Sequence, residues 1–582
     1  MRFKAFIVLF LTGLTWSCET KVEKKVVDYQ TPYEQGSGNE TATYDQVLAF
    51  YLKLAREFPE INIQSVGETD IGLPLHVVTF NPEGEFNFEK VRENKSIILI
   101  NNGIHPGESD GIDATMMFFR DLAIGKQKAP EKTVIATIPV YNIGGAMNRN
   151  STSRVNQNGP LEYGFRGNAR NYDLNRDFIK ADTKNAASFA RIFHLLKPDV
   201  FVDTHVSNGA DYQYTLTHLF TQHNKLGGNM GAFLHDTWQP SLEKALALDG
   251  WDITPYVNVF NRVPETGFSQ FMDYPRYSTG YTTLWNTLGL MVETHMLKPY
   301  EDRVAGTYAL LKSVVSVTGE YSGEIKKQKQ EAFAALTEGA FYPTGWKIDS
   351  ASVRQLNFKG YHADTIPSKV TGLPRLRYDQ NRPFEKEIPY YDTFIPSDSV
   401  RIPAAYIIPA GWDHIQPYLD RNEIQYTRID RDTTLMAEVY NIDHYQTRSR
   451  AYEGHYPHYN TTVDSSMDSV LVKEGGLWIP TGQAGVRYLL ETLEPSAPDS
   501  FFNWNFFDAI LQRKEGFSPY VFEDMMEELL EEDDSLRVAF QEKKTEDEAF
   551  GQNAYRQLYW LFEQSPYAEK EYKRYPVIRV PE

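Results

Sequence analysis

The chain has almost no cysteine: one in 582 residues, at position 18. A disulfide framework is excluded, so the fold must be held by its packed core. Excess positive charge is missing as well. Lys and Arg number 59 against 78 Asp and Glu, a net charge of −19, which argues against nucleic-acid binding because that needs a basic face to neutralise phosphates. No long disordered tract and no internal repeat interrupts the sequence. What is present is the composition of a soluble globular protein, 41% hydrophobic and 24% charged. The length exceeds what one core supports, so two or three domains are expected. Aromatics reach 14%, with 36 tyrosines; they suit a carbohydrate or peptide groove, or equally an ordinary core and surface.

The lone cysteine has a telling position. Arg2 and Lys4 precede an apolar run over residues 5–16, followed by Ser17 and Cys18. These are the n-region and h-region of a secretory signal, too short to span a bilayer as a mature helix. A single Cys after a small residue at the end of an h-region resembles a bacterial lipoprotein signal, with Cys18 as the lipidated first residue. The alternative is an ordinary signal peptide whose Cys18 is removed. Either way the destination is the envelope: periplasm or outer membrane, touching lipid only through an anchor at Cys18. Residues 19–40 then read as a polar tether.

From Thr43 the pattern turns helical, with Val47, Phe50, Tyr51, Leu54 and Ala55 on one face. "INIQSVGET" and "LPLHVVTFNP" read as strands, and "KSIILINN" and "TVIATIPVYN" as doubly apolar strands of a buried sheet. Ile112, Thr115, Met116 and Phe119 share a helical face, "AASFARIFHLL" is a helix, and "PDVFVDTHVS" and "LGLMVETHM" are further strands. The expected fold is a three-layer α/β/α domain with a mixed sheet over residues 41–325. After it, residues 340–582 read as a smaller β-rich α+β region of short strands and Pro/Gly turns, helical from "FFNWNFFDAI" to the end. Phe522, Met525, Met526, Leu529 and Leu530 form one apolar face there.

The chemistry concentrates in four places. "NNGIHPGESDG" sets His105 and Glu108 three apart on a Pro-Gly turn at a strand exit, where they can converge on a zinc ion. The plainer reading is a surface His and a helix-start Glu favoured by the dipole. "FVDTHVS" puts His205 at a strand end with Asp203 on the same face, so two His and one Glu are available, leaving one position for water. "LEYGFRGNARNYDLNRDF" packs Arg166, Arg170, Asp173, Asn175 and Arg176 into eleven residues, a loop suited to holding a carboxylate. Glu293 sits inside the apolar strand "LMVETHM", where a carboxylate must be paired or functional; beside a metal it would serve as general base. His295, two residues on, is a lesser candidate ligand.

HPGE, then R-x-N-A-x-x-x-D-L-N-R-x-F, then a strand-end His, then a strand Glu, in that order, resemble the M14 (carboxypeptidase A-like) zinc carboxypeptidases. The resemblance covers residues 43–320, including the opening helix and first strands. It implies one zinc per chain held by His105, Glu108 and His205. It also implies Arg166 as the oxyanion donor, Asn175 and Arg176 holding the free C-terminal carboxylate of a peptide substrate, and Asp173 orienting a ligand His. Glu293 would be the base and then the proton donor to the leaving amine. Water activated by the metal and Glu293 would then remove C-terminal residues. The chain departs from the pattern at Gly107, where many members have Arg. Arg276 is the candidate replacement cation or else a surface residue, and Tyr274, Tyr277 and Tyr281 are candidates for the family's mobile tyrosine, with Tyr277 taken for the substrate site. Two rivals remain: a deacylase or amidohydrolase of N-acyl amino acids or cell-wall peptides on the same fold, and a catalytically silent envelope binding protein. The latter should show a replaced ligand or base, and none is replaced here. "YEGHYPHY" reads as a polar surface loop, with metal binding the alternative.

Overall fold

The computed structural model describes residues 29–581. The signal segment, Cys18 and the first part of the tether lie outside the described residues. From Tyr29 on, the tether expected over 19–40 lies against the N-terminal domain. Thr31 caps a short helix, Pro32–Gln35, and Glu34 Oε2 pairs with Arg120 Nη1 at 2.5 Å. Tyr29 also packs on Phe58 and Tyr33 on Tyr300; two isolated tyrosines in a polar stretch leave no period that would have announced this docking.

The N-terminal domain is a mixed eight-stranded sheet with helices on both faces. Its strands are β1 (Ile61–Glu68), β2 (Pro74–Phe80), β3 (Ser96–Asn101), β4 (Thr133–Ile138), β5 (Val200–Ser207), β6 (Leu216–Phe220), β7 (Ile253–Pro255) and β9 (Leu288–His295). The short β8 (Phe268–Ser269) pairs elsewhere. Spatial order is β1-β2-β4-β3-β5-β9-β6-β7, and the central four, β4, β3, β5 and β9, run parallel.

The doubly apolar run of β3 has a simple cause. Strand side chains alternate, so Ile97 and Leu99 enter one core with Phe189, Ile192 and Phe193 of helix Lys184–Leu196. Ile98 and Ile100 enter the opposite core with Met116 and Phe119 of helix Asp110–Ala123 and Leu310 and Val314 of helix Tyr300–Glu320. The opening helix, Tyr44–Glu57, is set by a capping box between Thr43 and Gln46.

The C-terminal region is β-rich with helices at its end. A six-stranded antiparallel sheet contains the hairpin Thr433–Thr447 with His458–Val472 and a central strand, Ala405–Ile408. A second hairpin, Arg354–Pro367 with Pro374–Tyr391, takes β8 as its third strand. These hairpins are longer than the short strands expected, because an apolar period marks only a short part of each and the remainder is largely exposed. "FFNWNFFDAI" is turns and a 3-10 segment, Asp508–Leu511, rather than helix. Asn505 is left-handed (φ 66°), which a right-handed helix does not admit, and Phe501, Phe502 and Phe507 are drawn into the core. The closing run of helices begins at Pro519, and Phe522 and Met526 of Pro519–Glu532 are buried with Phe540, Leu561 and Phe562.

The two parts share one core. The cluster under β3 and β4 continues without a break into Tyr406, Ile408, Leu489, Phe501 and Tyr575 of the C-terminal region.

Candidate active site

Three parallel strands end at one place. After β3 the chain turns, with Glu108 N donating to His105 O at 2.8 Å, and this closes His105 and Glu108 onto each other. β5 carries His205 near its end, and Glu293 of β9 is its register partner on the neighbouring strand. The sheet places β4 on one side of β3 and β5 on the other, and such a reversal of strand order opens a ligand crevice at the strands' C-terminal ends.

His105 Nδ1 lies 3.2 Å from Glu108 Oε1, and His205 Nδ1 lies 3.1 Å from Glu108 Oε2. One ligand atom from each of the three residues falls within 4.8 Å of the others, and all three side chains are buried. Of the far nitrogens, His105 Nε2 is hydrogen-bonded to Asp173 Oδ1 at 2.9 Å, and His205 Nε2 stands 3.0 Å from Asp203 Oδ2 as an ion-pair contact. His105 Nδ1 and His205 Nε2 are both buried without a hydrogen-bond partner among the described residues. Two imidazole nitrogens and a carboxylate turned to one point, each imidazole steadied from behind by a carboxylate, fit a zinc ion with one place open.

Charges packed around the group shift its titratable side chains in the metal-free protein. Burial alone would raise the Glu108 pKa, but Arg154, His105 and His205 beside it hold it well below the usual range. Burial would lower the His205 pKa; Asp203 and Glu108 reverse that and raise it well above 6.5. Asp173 is kept ionised against burial by His105, Arg166 and Arg176. Glu293 goes the other way: burial, partly offset by His205 and reinforced by Glu108, pushes its pKa up to about 7. Neighbouring carboxylates driven in opposite directions are a mark of divided acid–base work.

A cleft of about 480 Å³ opens over the group, lined also by Arg154, Arg166, Asn175, Arg176 and Tyr277. Arg166 grips Asp173 Oδ2 through Nε (2.9 Å) and Nη2 (2.8 Å), and its Nη1 stands 3.6 Å from Glu108 Oε1. Asn175 is held by a hydrogen bond from Ser278 N to its Oδ1, 3.1 Å, and the Arg176 guanidinium lies over the Tyr277 ring at 4.6 Å.

Arg276 is a correction. Its side chain leaves the cleft for Asp499, Nη2 to Oδ1 at 2.8 Å, and lies over the Trp504 ring at 5.1 Å. A fully buried carboxylate on the C-terminal region draws it away from substrate. Tyr281 is a core residue donating to Asn422 Oδ1, so of the candidate tyrosines Tyr277 is the one lining the cleft. His295 packs on Tyr212 with its Nε2 3.1 Å from Ala210 O, apart from the metal group. The histidines of "YEGHYPHY" pair with acids: His455 with Asp182 at 2.7 Å and His458 with Asp508 at 3.0 Å.

Arg154 was not read from the sequence. Its Nη1 donates to Glu108 Oε1 at 2.7 Å, and its Nε occupies the space beside Gly107, where a Cβ would come within 2.7 Å of it. The position that lacks a cation in the turn thus has one delivered from the loop "RNSTSRVNQNGP". Only the missing side chain at 107 hinted at it.

An α/β sheet that gathers a His–Glu–His donor set and a half-buried carboxylate at its switch point defines a metal-dependent hydrolase. Residues 47–194 match the family model described as zinc carboxypeptidase, peptidase M14. That span holds His105, Glu108, Arg166, Asp173, Asn175 and Arg176; His205 and Glu293 lie beyond it and join the site through the sheet. No curated protein matches the chain. Among solved structures, the chain is similar to a metallo-carboxypeptidase from Burkholderia cenocepacia (16% identity, 48% of this chain and 70% of that one, TM-score 0.36). It is also similar to the carboxypeptidase A from Helicoverpa armigera (14% identity, 49% and 75%, TM-score 0.38). With scores this low, the fold assignment rests on the sheet itself.

Proposed function

We propose that the protein is an exported zinc carboxypeptidase that removes residues one at a time from the free C-terminus of peptides. The observation that carries this is the convergence, in one cleft, of the His105–Glu108–His205 group, Glu293 in register with His205, and the Asn175–Arg176 pair. The chemistry that zinc supplies there is Lewis acidity toward water and the scissile carbonyl. Glu293, beside the group and in register with His205, takes a proton from the attacking water and returns it to the leaving amine. Arg166, at the edge of the group, donates to the oxygen on which negative charge develops. Asn175 and Arg176 bind the terminal carboxylate and so set which bond is presented. Export rests on the signal-like pattern ending at Cys18, with lipidation of Cys18 as the anchor. Among the described residues, no helix is long and apolar enough to cross a membrane.

The test is a digest of a peptide library, cell-wall peptides included, read by mass spectrometry with and without chelator. A ladder of C-terminal truncations that chelator abolishes is expected. Internal cuts, or a ladder unaffected by chelator, would overturn the reading.

A further inference from the structure

The C-terminal region reaches the active site through one turn. At 452–455, Tyr452 and His455 exchange backbone hydrogen bonds of 2.8 and 3.1 Å, and Glu453 and Gly454 between them are left-handed (φ 49° and 81°). Gly454 is needed for more than its φ, since a Cβ there would lie 2.5 Å from Tyr172 Oη. The turn is therefore pressed against the arginine-rich loop. Two side chains fasten it. His455 Nε2 meets Asp182 Oδ2 at 2.7 Å, a carboxylate also held by Lys180. Glu453 Oε2 accepts from the backbone N of Asp173 at 2.8 Å, across 280 residues of sequence. Behind the turn, Tyr452 stacks on Trp504, whose Nε1 donates to the same Asp499 that holds Arg276.

Asp173 is the node of the site. Its carboxylate takes His105 Nε2, Arg166 and the backbone N of Asn175, and it caps the turn Leu174–Arg176 that carries Asn175 and Arg176. A carboxylate acceptor on the Asp173 N–H makes a strong, directional bond. It fixes the peptide plane from which both that side chain and that turn depart. We propose that Glu453 is a positioning residue of the active site, holding Asp173 and through it His105, Arg166, Asn175 and Arg176. The C-terminal region then completes the catalytic site rather than standing beside it. The roles of those residues rest on the carboxypeptidase reading.

The experiment uses the full chain with Glu453→Ala, Glu453→Asp (one methylene too short to reach) and Glu453→Gln (acceptor kept). KM and kcat are measured on a peptide with a free C-terminus, zinc affinity by chelator competition, and thermal midpoint alongside. Ala and Asp are expected to raise KM and to weaken zinc affinity by about tenfold, the scale seen when a partner behind a metal ligand is lost. Gln should restore both to within about threefold, at thermal midpoints close to wild type. KM and zinc affinity unchanged in Ala and Asp would overturn the proposal, as would losses in all three variants that merely follow the thermal midpoint. A wild type without turnover on that peptide would instead sink the carboxypeptidase reading, so the two failures are separable.

Discussion

Glu293 stands in register with His205 on a strand that is apolar up to Val292, and its removal separates chemistry from metal binding. Glu293→Gln keeps the shape and leaves the three ligands untouched. Turnover should fall by roughly two to four orders of magnitude, the worth of a positioned acid–base, with zinc content and thermal stability near wild type; turnover within a few-fold of wild type would place the base elsewhere. His205→Ala acts on the other function. It should abolish stoichiometric zinc at neutral pH by metal analysis, and full retention would reject the ligand set. Gly107 makes a third single-residue case. A Cβ there would meet Arg154 Nε at 2.7 Å and the Gly164 carbonyl at 2.9 Å. Because the carbonyl cannot swing aside as a side chain can, Gly107→Ala should cost about 1–3 kcal/mol in urea unfolding; a variant as stable as wild type would show that the turn yields freely. His105, Glu108 and Glu293 were legible at this scale because their spacing and strand context are local. Arg154 was not, because it reaches Glu108 from 46 residues away.

At the scale of elements, the catalytic sheet was readable wherever burial is one-sided or complete. β3 and β4 announce themselves as doubly apolar, and Tyr44–Glu57 by its stripe and cap. Helix Tyr300–Glu320 was not separately legible, since it is buried on several sides and its apolar residues follow no single stripe. The long exposed hairpins failed for the opposite reason, having too little burial to leave a period along most of their length. Arg276 was misplaced because its partner Asp499 belongs to an element that no local pattern connects to it. That pairing makes a prediction. Arg276→Ala leaves Asp499 buried without its main partner, so stability should fall by about 3–5 kcal/mol, while preference for free over amidated C-termini is retained. A stable variant that lost the preference would return Arg276 to the substrate site.

Over the whole molecule, the two regions share a hydrophobic core, and a buried acid at their junction gives the fold a pH signature. Glu491 of helix Val486–Leu493 is fully buried. Burial and Asp499 push its pKa up to about 7, against the pull of Lys225, Tyr342 and Arg487. The folded pKa is above the unfolded value, so its stabilising contribution is complete below about 4.5 and is lost as pH rises through about 7. Glu491→Gln should therefore flatten the decline in unfolding free energy between pH 5 and pH 8; an unchanged slope would mean that other groups set it. The central claim is tested most directly by paired peptides, identical but for a free or an amidated C-terminus, incubated with the zinc-loaded full chain and followed by mass spectrometry. Loss of the last residue from the free acid, with the amide left essentially intact and neither cut by Glu293→Gln, is the predicted result. Equal processing of both termini would contradict it and turn the site toward an endopeptidase or a deacylase.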